Sequence, residues 1–239
     1  RRVLFRSVGD YNNPNLTPAA ARLIKERSEV TARGEDYLNP SNQCLPMVAP
    51  YIFRVQGMEM LQKKDEVLIL YMQDHQVRRV RLNARHPAKV TPTWHGDSVG
   101  HYEGDTLVID TVGIKPPGAL AVIDRYGTPF SEKLHVVERY RLIDGKVAAD
   151  ALSRHRRSFN VNSAIPRYDI YGTEFDTDLS KKGLQVEVTV EDPEIFTTPW
   201  KGLVTYRPVI GWPEMACAEN VRESVGPDRH VPVAEKPDF

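Results

Sequence analysis

The residues able to do chemistry in this 239-residue chain are those where a polar side chain interrupts an apolar strand face. In the run Leu134–Leu142, alternation at period two sets Leu134, Val136, Glu138, Tyr140 and Leu142 on one side, so Glu138 points with the apolar set. Desolvation favours the neutral acid, which makes such a carboxyl group a candidate acid or base near neutral pH. An arginine such as Arg78 or Arg79 would instead pair with it and keep it ionised. His75 follows the apolar run Val67–Met72 and shares strand parity with Val67, Ile69 and Tyr71. If that strand continues unbroken, its imidazole enters the same cavity and can take or deliver a proton. Asp74 faces the other way, and His135, alternating with Val137, Arg139 and Arg141, lies on the wetter face.

A second group comes from the segment Thr93 to Thr111. Two β-rich arms flank Gly104-Asp105, a dipeptide suited to a tight hairpin turn. A two-residue loop there sets Glu103 opposite Thr106 and Val99 opposite Asp110. His101, Val108 and Asp110 then share one face, while Tyr102, Leu107 and Ile109 take the face better suited to the core. Asp110 is expected to be solvated or to cap a neighbouring loop. Trp94 and Asp97 precede the hairpin in a Gly-rich turn, where Asp97 is expected to accept from backbone amides and Trp94 to close a barrel end as part of a pocket lip. The candidate catalytic set is therefore His75, Glu138, Asp97 and Asp110, with Tyr71, Trp94, Tyr102, Arg78 and Tyr140 as candidate ligand contacts.

Other chemistries are disfavoured. The chain lacks a dinucleotide-binding Gly-x-Gly-x-x-Gly, a phosphate-binding Gly-x-x-x-x-Gly-Lys-Ser/Thr, a His-Glu-x-x-His and a Gly-x-Ser-x-Gly elbow, so no cofactor is expected. His75, His95, His101 and His135 show no ligand spacing, and no metal is expected. The 32 basic and 32 acidic residues cancel, leaving no global field for nucleic acid or an anionic membrane, and no apolar run is long enough to span a bilayer. The two cysteines, Cys44 and Cys217, lie too far apart for a Cys-x-x-Cys site; they either bridge a large loop, as a possible disulfide, or are buried free thiols.

The elements that must position these residues are mostly strands. Thr17 as N-cap and Pro18 at the first helical position begin a helix that runs from Ala19 to Thr31. Strands are predicted at Tyr51–Val55, Val67–Met72, Val77–Leu82, Val99–Tyr102, Thr106–Val112, Leu134–Leu142, Leu184–Val190 and Gly202–Pro208. The last but one is the clearest, with Leu184, Val186, Val188 and Val190 alternating against polar residues. Eight or so antiparallel strands suit a mainly β, calycin-like barrel with an N-terminal helix and a helical insertion; a two-sheet β-sandwich is the alternative. The insertion, 146–182, carries a helix from Val147 to Arg157 whose basic end, Arg154 to Arg157, suits the helix dipole. A single domain is expected over 15–222, preceded by a lead-in over 1–14 and followed by a tail over 223–239.

The hairpin motif also resembles a group. Together with Cys44-Leu45-Pro46, Asp74 to Arg79, Leu134 to Tyr140, Glu191-Asp192-Pro193, Thr198-Pro199-Trp200 and Cys217 to Asn220, it resembles a large family of bacterial environmental-genome proteins, mostly uncharacterised, over roughly residues 40–222. The resemblance implies a β-barrel-like fold and export to the periplasm or outside, with a cytoplasmic location as the alternative; it implies no particular chemistry. The chain departs from the group's pattern between Gly145 and Gly183, where an insertion could reshape a pocket mouth. The first seven residues, Arg1 to Ser7, resemble the in-frame translation of a sequencing adapter from a metagenomic read, so the lack of a signal peptide there says nothing about export.

Three functions fit. The first is a cofactor-free lyase, hydratase or isomerase that uses His75 and Glu138, with Asp97 or Asp110, on a small apolar or aromatic compound. The second is a non-catalytic protein that binds such a compound in the same pocket. The third is a structural, envelope-associated domain in which the polar groups form a closed network.

Overall fold

The computed structural model describes residues 10–32, 37, 39–40, 44–53, 57–115, 118–124, 126–158 and 174–212. Its elements are α1 (Pro18–Ala32), β1 (Met58–Gln62), β2 (Glu66–Tyr71), β3 (Val77–Leu82), β4 (Asp97–Glu103), β5 (Thr106–Val112), β6 (His135–Ile143), α2 (Gly145–Ser158), β7 (Glu174–Phe175), β8 (Gly183–Glu191), β9 (Trp200–Tyr206) and β10 (Val209–Ile210). The protein is mainly β, and its fold is the calycin-like one expected. Eight strands in the order β1-β2-β3-β4-β5-β6-β8-β9 curl into a half-barrel, and β7 and β10 form a separate two-stranded ladder.

Alternation sorts every long strand into two faces. Val67, Ile69, Val80, Ile109, Val136, Val186, Val188 and Val190 are buried on the inner face. Met47 to Phe53 and the β5–β6 connection, through Ile114, Val122 and Phe130, pack onto that face and complete the core. Each such aliphatic side chain contributes about 1.5–3 kcal/mol when fully removed from water, so this cluster is a large stabilising contribution to the fold.

The hairpin has the predicted register, with Glu103 paired to Thr106 and Val99 to Asp110. Gly104 supplies the positive φ of 58° that the tight turn needs. Elsewhere the sheet departs from expectation. β3 and β4 pair in parallel, because residues 83–96 cross from the end of one strand back to the start of the next. The predicted strand at Tyr51–Val55 is instead a short 3-10 turn over Tyr51–Phe53, with residues 54–55 outside those described. β1 was not anticipated; its alternation, Met58-Glu59-Met60-Leu61-Gln62, is blurred by a partly exposed edge position.

Side chains fix the helix ends. The Thr17 hydroxyl accepts from the Ala20 amide at 3.3 Å, the N-cap contact expected for α1. Asp144 does the same for α2, accepting from the Lys146 and Val147 amides at 2.9 and 3.2 Å. α2 lies against β8, where a Cβ on Gly183 would come within 2.4 Å of Ala148 Cβ; the glycine is what lets helix and strand approach.

Two of the sequence motifs are fasteners. Asp192 is buried and accepts from the Ser131 amide at 2.6 Å and the Ser131 hydroxyl at 2.8 Å, tying the β5–β6 connection to the end of β8. Asn15 Oδ1 accepts from the Thr198 amide at 2.9 Å and its hydroxyl at 2.6 Å, tying the lead into α1 to the start of β9. Cys44 is disulfide-bonded; the only other cysteine in the sequence, Cys217, lies outside the described residues. No helix among the described residues is long and apolar enough to cross a membrane.

Candidate functional site

The inner face carries a polar network inside the apolar core. Parity on β3 turns Arg78 inward with Val80, and parity on β6 turns Glu138 inward with Val136 and Tyr140, so the two meet across β4 and β5. Arg78 Nη1 lies 2.8 Å from Glu138 Oε1 and 3.0 Å from Oε2, with both side chains at most 2% exposed. Most of the remaining guanidinium donors also find partners nearby. Nε donates to Ser98 Oγ at 3.0 Å, Nη2 to Thr111 Oγ1 at 2.5 Å, and Nη1 also reaches the Tyr71 hydroxyl at 3.4 Å. Ser98 and Thr111 are a directly opposed pair in the hairpin register and lie 3.0 Å apart through their hydroxyls. Tyr140 donates to Glu138 Oε2 at 2.7 Å.

Charge in this network is fixed. Burial works against the Arg78 cation, but the Glu138 carboxylate outweighs it and holds the guanidinium protonated beyond its usual range. Burial raises the Tyr71, Tyr140 and Tyr206 phenols, and nearby Glu138 adds to the effect, so all three stay neutral. His95 stacks on Tyr71 with ring centroids 6.5 Å apart. Burial, with the Arg78 cation second, lowers its imidazole to about 4, so it too is neutral at pH 7.

Several polar atoms on this face lack hydrogen-bond partners among the described residues. The Arg78–Glu138 contact has hydrogen-bond geometry only at Oε2, which leaves Oε1 with a charge neighbour but no directed donor. The Tyr206 hydroxyl and the Trp200 indole N–H are buried and unpartnered among the described residues. Gln76, 8% exposed, has neither amide atom satisfied; its extended backbone continues the β3 alternation and puts it on the same side as Arg78.

The sequence candidates separate. Glu138, Arg78, Tyr71 and Tyr140 come together in the core, and the arginine that pairs with Glu138 is Arg78; Arg79 is exposed and pairs with Glu66. Trp94 packs against the core from the loop before β4. His75 does not join them. The chain turns at Asp74 and His75, whose φ angles are 52° and 49°, so β2 ends at Tyr71, strand parity is lost and His75 is exposed. Tyr102 has inner-face parity but sits at the open end of the sheet, 45% exposed, donating to Gln62 Oε1 at 2.9 Å.

Asp97 and Asp110 belong to the opposite, outer face. There Arg81 Nη2 lies 2.8 Å from both Asp97 oxygens, and Asp97 Oδ2 lies 2.6 Å from His86 Nδ1. His86 Nε2 continues to Asp110 Oδ1 at 3.0 Å, the same oxygen lies 3.1 Å from His135 Nε2, and His135 Nδ1 faces Glu191 at 3.4 Å. Asp97 thus serves side chains rather than the backbone amides expected of it, because the crossover loop brings His86 beneath it. The hydrogen bond from His135 holds the Asp110 carboxyl below its usual range, and Asp110 in turn raises His135. Among the described residues no group of three or more His, Cys, Asp or Glu is placed to hold a metal ion.

His86 and Tyr206 went unnoticed in the sequence, and His95 was weighed only as a metal ligand. His86 lies in a loop, where no periodicity marks it. Ser98 and Thr111 were also missed, although the hairpin register, which pairs two small hydroxyls on an otherwise apolar face, could have marked them. The chain matches no protein-family model, no curated protein and no solved structure.

Proposed function

We propose that this protein binds a small, mostly apolar or aromatic molecule against the inner face of its half-barrel, oriented by Glu138 and Tyr206. The observation that carries this reading is the set of buried polar atoms without partners: Glu138 Oε1, the Tyr206 hydroxyl, the Trp200 N–H and the Gln76 amide. Each such group costs about 1–3 kcal/mol when left unsatisfied, and nearly all buried polar groups in folded proteins find a partner. A ligand's own donors and acceptors would relieve that cost where aromatic side chains supply apolar contact. The Cys44 disulfide supports an exported location, where such bonds persist.

Native mass spectrometry of the unreduced protein tests this directly. A retained organic molecule, diminished in Tyr206→Phe, is expected. A bare polypeptide mass, with no thermal shift from any member of a panel of small aromatics, would refute the proposal and favour a closed structural domain.

A second reading, a cofactor-free lyase, hydratase or isomerase, is favoured by His95. It is a neutral imidazole beside Tyr71 and the Arg78–Glu138 pair, in the role first expected of His75. Turnover found for any ligand should vanish in His95→Gln with the fold intact. Activity that survives both His95→Gln and Glu138→Gln would sink this chemistry.

A further inference from the structure

We infer that the molecule bound on the inner face is uncharged and presents an O–H or N–H donor to Glu138 Oε1 and a hydrogen-bonding oxygen or nitrogen to the Tyr206 hydroxyl. This rests on the proposed inner-face site and narrows it to a class: phenols, alcohols and primary or secondary amides, as against ethers, carboxylates and amines.

The argument begins with net charge. The ionised groups of the network are Arg78 and Glu138, one of each sign and in contact at 2.8 Å. Among the described residues, the other titratable side chains that face them are Tyr71 from β2, Tyr140 from β6, Tyr206 from β9 and His95 from the loop before β4, all neutral near pH 7. A charged ligand would therefore meet a neutral surrounding and would have to leave water without a counter-ion, which is strongly unfavourable. Arg78 has at most one N–H to offer an anion, the second on Nη2, because Nε, Nη1 and the other Nη2 N–H already reach Ser98, Glu138 with Tyr71, and Thr111, and its charge is already met by Glu138.

Hydrogen-bond capacity then sets the polarity. A carboxylate paired with a guanidinium is acceptor only, so Oε1, which has the Arg78 charge 2.8 Å away but no directed hydrogen bond, takes a donor and nothing else. The Tyr206 hydroxyl can give or accept one bond, and the Gln76 amide on the same side offers both donors and an acceptor. An ether can meet Tyr206 but leaves Oε1 without a directed hydrogen bond. A hydroxyl satisfies both, and so does an amide whose N–H meets Oε1 and whose carbonyl accepts from Tyr206.

Matched sets of probes decide it. The unreduced, full-length protein is titrated with p-cresol, benzyl alcohol and benzamide, with the methylated counterparts 4-methylanisole, benzyl methyl ether and N,N-dimethylbenzamide, and with p-toluate and 4-methylbenzylamine as ions. Binding is read by calorimetry and thermal shift. At least one neutral donor is expected to bind, its methylated counterpart at least tenfold more weakly, and the ions not measurably. Tyr206→Phe, which removes an unpartnered hydroxyl and should fold at least as well, is expected to weaken the donor at least tenfold. Glu138→Gln, if it folds, should erase the preference for the donor over its ether. Equal binding of donor and ether, or tighter binding of an ion, overturns the class while leaving the site in place. Failure of every probe overturns the site and the inference together, as does binding that neither variant changes.

Discussion

The Arg78–Glu138 pair allows a sharp prediction, because its parts can be removed one at a time. Arg78→Met takes away the charge 2.8 Å from Glu138 Oε1 and leaves a fully buried carboxylate with one donor, the Tyr140 hydroxyl. Glu138→Leu leaves a buried guanidinium with only Ser98, Thr111 and Tyr71 as acceptors. Breaking a buried pair in this way costs about 3–5 kcal/mol, whereas replacing both partners by apolar residues is often neutral. At roughly 2–4 °C per kcal/mol for a domain of this size, each single variant should lose roughly 6–20 °C in Tm. The double variant should return to within about 2 kcal/mol of the wild type, the remainder being the hydroxyls of Ser98, Thr111 and Tyr140 left without charged partners. Urea unfolding followed by the fluorescence of the three tryptophans measures all four proteins. Losses that simply add in the double variant would refute the reasoning, since the two side chains would then not depend on each other. Arg78→Lys should fall near Arg78→Met rather than the wild type, because an ammonium cannot span Ser98, Thr111 and Glu138 at once.

The two histidine systems predict opposite pH trends. His95, lowered by burial to about 4, is protonated more readily in the unfolded chain, so stability should fall as pH drops from about 6.5 towards 4, by about 3 kcal/mol in full; His95→Phe should flatten that limb, and a ring titration by NMR that finds an ordinary midpoint would contradict it. His135, raised by Asp110, contributes stability that is complete below the ordinary histidine range and lost as pH rises through its folded value, while Asp110, lowered by His135, contributes stability present above the ordinary carboxylate range and lost under acid. Their contribution is therefore greatest between those two ranges, and His135→Gln should destabilise the protein more at pH 5.5 than at pH 8.5; an equal loss at both would exclude the ion pair. Gly96→Ala should cost about 1–3 kcal/mol, given a φ of +69° and a Cβ that would lie 2.6 Å from the Val112 carbonyl oxygen, and an unchanged urea midpoint would count against the loop geometry.

Much of this architecture was legible because it rests on alternation. The β5 strand, the hairpin register and the inward turn of Glu138 all follow from period-two patterning around a recognisable Gly-Asp turn, whereas the choice between Arg78 and Arg79, left open in the sequence, is made by the structure in favour of Arg78. What alternation cannot encode was missed. His75 looked inward only while β2 was extended past Tyr71, and two consecutive residues with positive φ ended it there. The parallel pairing of β3 with β4 depends on the path of a fourteen-residue connection, and His86, which that connection carries to Asp97 and Asp110, has no local signature. Tyr206 belongs to a strand that was foreseen, but its missing partner is a fact of three-dimensional packing.

The same alternation explains why two polar systems coexist without mixing. Arg78, Ser98, Thr111 and Glu138 lie on the inner face, while Arg81, Asp97, Asp110 and His135 lie on the outer face of the same four strands. Thr111 and Asp110 are neighbours in sequence, as are Ser98 and Asp97. A slip of one residue on β5 would bring Asp110 into the core opposite Arg78 and carry Thr111 out to the two histidines, losing both networks at once. Each network therefore penalises the wrong register independently of the apolar pattern. The inner one does so most strongly, because a second carboxylate there would be buried beside Glu138 with the single Arg78 charge between them. That gives Arg78 and Glu138 a role in specifying the sheet that persists whether or not a ligand is bound. Stability in the absence of ligand, read by the Arg78–Glu138 cycle, reports on the sheet, and the Tyr206 hydroxyl, which has no hydrogen-bond partner among the described residues, reports on the site.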